Sequence, residues 1–155
     1  MRTCLILLAA CLLVLSGCSG QNLPEGMPKL TAVVLTITQD GAPLEGAVVS
    51  LLPLDSANSR WNASGVTTKD GKAIIRTLAK YDGAAVGKYK VIVKKTYTEP
   101  YPDWWASGTE AQRRAYKSPP PVEHVHKKFA DKKTSPLDLE VGSSPVNETF
   151  AVEKP

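Results

Sequence analysis

Two imidazoles stand two positions apart in Glu123-His124-Val125-His126, and an extended backbone turns such a pair to one side, where ring nitrogens ligate zinc, copper or nickel. Spacing reveals no third ligand, and a bare His-x-His pair also occurs as two solvated or carboxylate-paired rings. A second kind of chemistry is stacking. Tyr101, Trp104 and Trp105 lie close together, with Tyr97 and Tyr116 nearby, and aromatic faces of this kind pack on sugar rings. The competing reading makes them a lid over a sheet. In that case at least one of Trp104 and Trp105 stays partly exposed, because neighbours in sequence cannot both point inward. Trp61 stands alone in the polar stretch 54–64, where it either folds back over an edge of the core or joins the ligand-contacting aromatics.

Covalent catalysis has little to draw on. The 155 residues include three cysteines, Cys4, Cys11 and Cys18, so the chain beyond residue 18 has no thiol nucleophile, disulfide or cysteine zinc site. A Ser-His-Asp arrangement would have to use one of two closely spaced histidines, and no GxSxG, HExxH or phosphate-cradling glycine loop occurs. The expectation is a protein that is not an enzyme. The formal net charge of +4 is mild, and the lysines within 88–95 and 127–133 read as a solvated edge or as an attraction to anionic polymers.

The elements that position these groups are strands. Val33, Leu35 and Ile37 alternate with more polar neighbours, and Ala47, Val49 and Leu51 do the same after Asp40-Gly41, Pro43 and Gly46, which punctuate a turn. Residues 65–78 repeat strand, Asp70-Gly71 turn, strand. Tyr89, Val91 and Val93 alternate with lysines. Leu137, Leu139 and Val141 form another alternating run, and Thr149-Phe150-Ala151-Val152 is a last short strand. The fold class expected is an all-β, seven-stranded antiparallel β-sandwich over 30–155. A loop-rich insertion interrupts it at about 96–133, too long for a sandwich turn. Within the insertion, Thr109 is a plausible N-cap for a short helix to Lys117, and Pro119-Pro120-Pro121 stiffens its exit.

The order Asp40-Gly41-x-Pro43-Leu44-x-Gly46-Ala47-x-Val49, then Thr68-x-Asp70-Gly71, then Gly87-x-Tyr89-x-Val91-x-Val93, resembles the carboxypeptidase regulatory-like domains. The resemblance covers about 30–95 and implies a transthyretin-like (prealbumin-like) sandwich; its motifs are turn glycines and core positions, so it implies little chemistry. Such domains usually place an aromatic where this chain has Ala73, and a bulky side chain such as Trp61 or Tyr81 is expected to fill the space. The run Lys128 to Leu137 also looks like the tail of small bacterial lipoproteins that carry this domain. A transthyretin-like hydrolase would end in a tyrosine-bearing motif, whereas this chain ends Ala151-Val152-Glu153-Lys154-Pro155.

The address comes from the first residues. Arg2 precedes an apolar run, 5–15, too short to span a bilayer and fitting the hydrophobic region of a signal peptide. Leu15-Ser16-Gly17-Cys18 closely resembles the lipobox of bacterial lipoproteins, which implies removal of 1–17 and a covalent lipid on Cys18 as the only attached group. Two or three acyl chains hold a protein on a membrane where one is marginal. Ser19 resembles the residue class of lipoproteins sent to the outer membrane, on its periplasmic face or surface. Residues 18–29, rich in Gly, Pro, Asn and Gln, read as a tether. The expected partners are the membrane and an envelope polysaccharide or another envelope protein, with no nucleic acid. Replacement Cys18→Ala should move the product from the membrane to the soluble or unprocessed fraction, measured by membrane fractionation.

Overall fold

The computed structural model describes residues 23–155. The expected signal peptide, Cys18 and residues 18–22 of the expected tether lie outside the described residues. In chain order the strands are β1 (Leu30–Thr31), β2 (Val33–Gln39), β3 (Ala42–Pro43), β4 (Val48–Pro53), β5 (Ala63–Val66), β6 (Lys72–Ile74), β7 (Arg76–Thr77), β8 (Tyr81–Asp82), β9 (Ala84–Ala85), β10 (Gly87–Lys94), β11 (Thr96–Tyr97), β12 (Val122–Glu123), β13 (Asp138–Val141) and β14 (Val146–Val152). One helix, α1 (Glu110–Ala115), and two 3₁₀ turns, Asp103–Trp105 and Lys127–Ala130, complete the described residues.

Side chains alternate across a strand, and the apolar alternation sets the core. Val33, Leu35 and Ile37 of β2, Val49 and Leu51 of β4, Tyr89, Val91 and Val93 of β10, and Leu139 and Val141 of β13 are all buried and share one cluster. They come from two open sheets. One has the order β13-β10-β4-β5-β7-β8, and the other joins β14, β2 and β3, with β6 also paired to β2. The arrangement is all-β with one short helix, as expected. Two details differ. β14 runs parallel to β2, so the pairing is not wholly antiparallel. And the strands are not seven: many segments have only two residues, while β2, β4, β5, β10, β13 and β14 have four or more.

Both Asp-Gly turns form, but only the first closes a hairpin within one sheet; the second joins strands of different sheets. Asp40 and Gly41 have φ of 52° and 79°, the two left-handed positions of a tight hairpin turn, and they join β2 to the short β3. The chain then crosses to the other sheet, where β4 pairs with β10 and β5. Buried Thr67 fastens the crossing: its hydroxyl accepts the Ala47 N–H at 2.7 Å, and its own N–H donates to the Ala47 carbonyl. At the second turn Gly71 has φ of 72°, and a Cβ there would lie 2.6 Å from the Ile37 carbonyl oxygen. The turn therefore abuts β2, and β6 pairs with β2 instead of with β5.

Tyr89 is the largest fully buried side chain, and its hydroxyl donates to the Ala85 carbonyl at 2.7 Å. Burial first, and the Asp55 carboxylate second, push its pKa up to about 12. An acid whose folded pKa lies above the unfolded value near 10 holds its proton longer when folded. Its contribution to stability is therefore complete below about pH 10 and is lost as pH rises toward 12. Thermal melts across that window should show a steeper fall in Tm for the native chain than for Tyr89→Phe. At pH 7 the variant should already be less stable by about 1–3 kcal/mol, because the buried Ala85 carbonyl loses its donor.

Candidate functional site

The insertion divides into two parts with different surroundings. From residue 96 to residue 124 no side chain is buried, whereas Val125 and Phe129 belong to the core cluster. The first part is an arm. Its neck is the pairing of β11 with β12, Thr96 opposite Glu123 and Tyr97 opposite Val122, reinforced by the Thr96 hydroxyl donating to Glu123 Oε2 at 2.8 Å.

Beyond the neck the arm carries its own aromatic cluster. Tyr101 stacks on Trp105 with centroids 4.3 Å apart and planes 20° apart. Trp104 lies 6.0 Å from Trp105, and Tyr116 sits edge-on to both, 5.7 Å from each. Local sequence explains the assembly. Thr109 closes a capping box at the start of α1: its hydroxyl accepts the Gln112 N–H, and Gln112 Oε1 accepts the Thr109 N–H at 2.8 Å. That cap fixes where the helix begins, and Tyr116 then falls back against the turn Asp103–Trp105. Arg113 locks the two together, with Nη1 donating to the carbonyls of Gly108 at 2.7 Å and Trp105 at 3.2 Å.

The expected aromatic residues thus meet in part. Tyr101, Trp104 and Trp105 come together, but as a cluster of their own and not as a lid on the core. Tyr101 is 62% exposed and Trp104 39%, so each keeps a face toward solvent, while Trp105 and Tyr116 are half-buried. Trp61 is elsewhere. It is 8% exposed, in the loop between β4 and β5, with the Arg60 guanidinium 5.1 Å from its ring centroid. Burial of this degree sets Trp61 apart from the exposed rings of the arm. Arg113 gave no signal in the sequence, since its partners are backbone carbonyls that only the fold assembles. Tyr116 could have been placed from the Thr109 cap, which puts it one residue past the helix.

The histidines have other duties. His124 is exposed, donating its N–H to the Lys95 carbonyl and accepting Gln39 Nε2 at its own carbonyl, both at 2.8 Å. His126 caps the turn Lys127–Ala130, its Nδ1 accepting the Lys128 N–H at 3.2 Å, and its N–H donates to the Glu153 carbonyl. Lys128 Nζ lies 2.7 Å from Glu153 Oε2; this hydrogen bond and charge, with His126 adding to them, hold the Glu153 carboxyl below its usual range. Among the described residues no group of three or more His, Cys, Asp or Glu is placed to hold a metal ion. The lysines are partly spoken for: Lys90 pairs with Asp138 at 2.7 Å, and Lys132 donates to the Pro53 carbonyl.

No protein-family model and no curated protein matches the chain. Two solved structures match. One is a 9R-lipoxygenase from Cyanothece PCC8801, at 13% identity and a TM-score of 0.36, over 79% of this chain and 16% of that one. The chain thus spans about a sixth of the lipoxygenase, and the likeness is too low to carry an argument.

Because Trp105 contacts three other rings and nothing in the arm is buried in the body, Trp105→Ala should loosen the arm alone. Trypsin should cut at Arg113, Arg114 or Lys117 at least about tenfold faster, as a loss near 1.4 kcal/mol of local closing free energy implies. The main unfolding transition should keep its midpoint.

Proposed function

We propose that this chain is an exported, lipid-anchored protein of the cell envelope, without catalytic activity, whose β-body presents the arm 96–123 as its binding element. The observation that carries the reading is the arm itself. Folding has gathered four aromatic rings outside the core and left Tyr101 and Trp104 exposed, where a soluble domain ordinarily buries such area. The anchor rests on the sequence 15–18 and its apolar run, with Cys18 as the lipidated residue and the outer membrane as the address implied by Ser19. The body is read as a transthyretin-like sandwich of the carboxypeptidase regulatory-like kind. The left-handed turn at Asp40-Gly41, the left-handed Gly71 and the two sheets about one core support that reading.

The ligand class favoured is an envelope polysaccharide. Tyr101 is backed by Trp105 and still 62% exposed, the arrangement in which a rigidly held ring stacks on a sugar. A metal-binding role for His124 and His126 has less behind it, since His126 Nδ1 is engaged and no third ligand is at hand among the described residues. The full chain should co-sediment with isolated cell-wall polymer. A Tyr101→Ala, Trp104→Ala variant with an unchanged melt should leave most of that protein in the supernatant. Retention of the variant at the native level would remove the arm from the binding site.

A further inference from the structure

We propose that β14 is a pairing edge for a second copy of this chain, joined antiparallel about a twofold axis at Thr149. β14 is the last strand of its sheet, bonded to β2 on one side only among the described residues. It is also the longest such edge: the outermost strands β13 and β8 of the other sheet have four and two residues, whereas β14 has seven. Natural edges of this length are usually blunted by lysine, proline or a bulge. Here the only charged residue within the strand is Glu148.

The direction of each backbone group follows from the ladder. The Val146 N–H donates to the Ala32 carbonyl, so Val146, Glu148, Phe150 and Val152 turn their polar groups toward β2. The N–H and C=O of Asn147, Thr149 and Ala151 therefore point outward, and all three residues are exposed. The free stretch has defined ends. Pro145 has no N–H to offer, and the Glu153 carbonyl already accepts the His126 N–H at 2.8 Å.

Those limits select one occupant and one register. With the twofold at Thr149, its N–H and C=O exchange with those of Thr149 in the second copy, and Asn147 pairs with Ala151 in both directions. All six outward groups are then satisfied. The single charge, Glu148, falls opposite Phe150 of the other copy and not opposite itself. A twofold at Glu148 would face two carboxylates and oppose Ala151 to Pro145; one at Phe150 would oppose Asn147 to the occupied Glu153. Like charges directly opposite are destabilising, so charge and hydrogen bonding choose the same register. The closed twofold also leaves no second open end, so assembly stops at two copies.

The test uses the full chain in mild detergent with Cys4, Cys11 and Cys18 replaced by serine, so that an introduced thiol is the sole one. In the proposed register the Thr149 Cα atoms of the two copies lie about 5.5 Å apart, within disulfide reach. Under mild oxidation Thr149→Cys should form disulfide dimers at least about tenfold faster than Val66→Cys, likewise an exposed position but on β5, away from this edge. Sedimentation equilibrium should show a reversible dimer for the chain without introduced cysteine. Thr149→Pro, which removes an outward N–H and none bonded to β2, should weaken it at least tenfold. Equal cross-linking rates for Thr149→Cys and Val66→Cys would overturn the proposal, as would a monomer at all concentrations or a dimer that Thr149→Pro leaves intact. A monomer whose edge instead captures a different protein would likewise overturn the second copy as occupant.

Discussion

The parallel pairing of β2 with β14 is the constraint on which the rest of the structure depends. Parallel neighbours cannot be joined by a tight turn, so between Gln39 and Val146 the chain must leave the sheet and return, with only the short β3 and β6 added on the other side of β2. The whole of the other sheet, the arm and the segment 124–137 lie on that return path. The same ladder makes β2 central, with β14 on one side and β3 and β6 on the other, and so buries Val33, Leu35 and Ile37 completely. It also puts the last strand at the rim. A fold closed by its final strand has that strand's outer side as its open edge unless another segment covers it, and among the described residues only the end at Glu153 is covered.

Much of the local structure was legible in the sequence because local rules decide it. Asp40-Gly41 specifies left-handed backbone, Thr109 with Gln112 three residues on specifies a capped helix, and the alternation of Tyr89, Val91 and Val93 specifies a strand with one buried face. What the pattern could not convey is partnership. Period-two alternation looks the same in parallel and antiparallel strands and says nothing of which strand lies alongside. Hence both Asp-Gly turns read alike, while the fold closes a short hairpin with the first and uses the second as a corner where the chain changes sheet. Close backbone approach decides this at Gly71, whose missing Cβ lets the turn lie against the Ile37 carbonyl.

The candidate site was legible in composition and not in arrangement. Five aromatic residues between 97 and 116 announce an unusual segment, but whether they cover a sheet or one another depends on geometry that spacing does not encode. A six-residue helix is far too short to stand alone in water, so its stability has to come from contacts. The body offers none, since nothing from 96 to 124 is buried. The rings of Tyr101, Trp104, Trp105 and Tyr116 supply those contacts, and the Arg113 guanidinium ties the helix to the preceding turn. The aromatic cluster is thus required for the arm to have a shape at all. Exposure of Tyr101 and Trp104 follows from four rings closing on themselves with no fifth element to cover them.

The same reasoning separates the two halves of the insertion and bears on the histidines. Residues 124–130 return to the body: Val125 and Phe129 enter the core, and His126 ties this segment to the tail at Glu153 by its N–H while its Nδ1 caps the next turn. A ring nitrogen that accepts a backbone N–H is a structural acceptor, and taking it for a metal would leave the Lys128 N–H without that partner. His126 therefore helps end the open edge of β14, and the arm, with no such ties to the core, is the part of the insertion free to meet something else. One continuous stretch of chain thus serves two ends, and the boundary between them falls at Val125, where burial resumes.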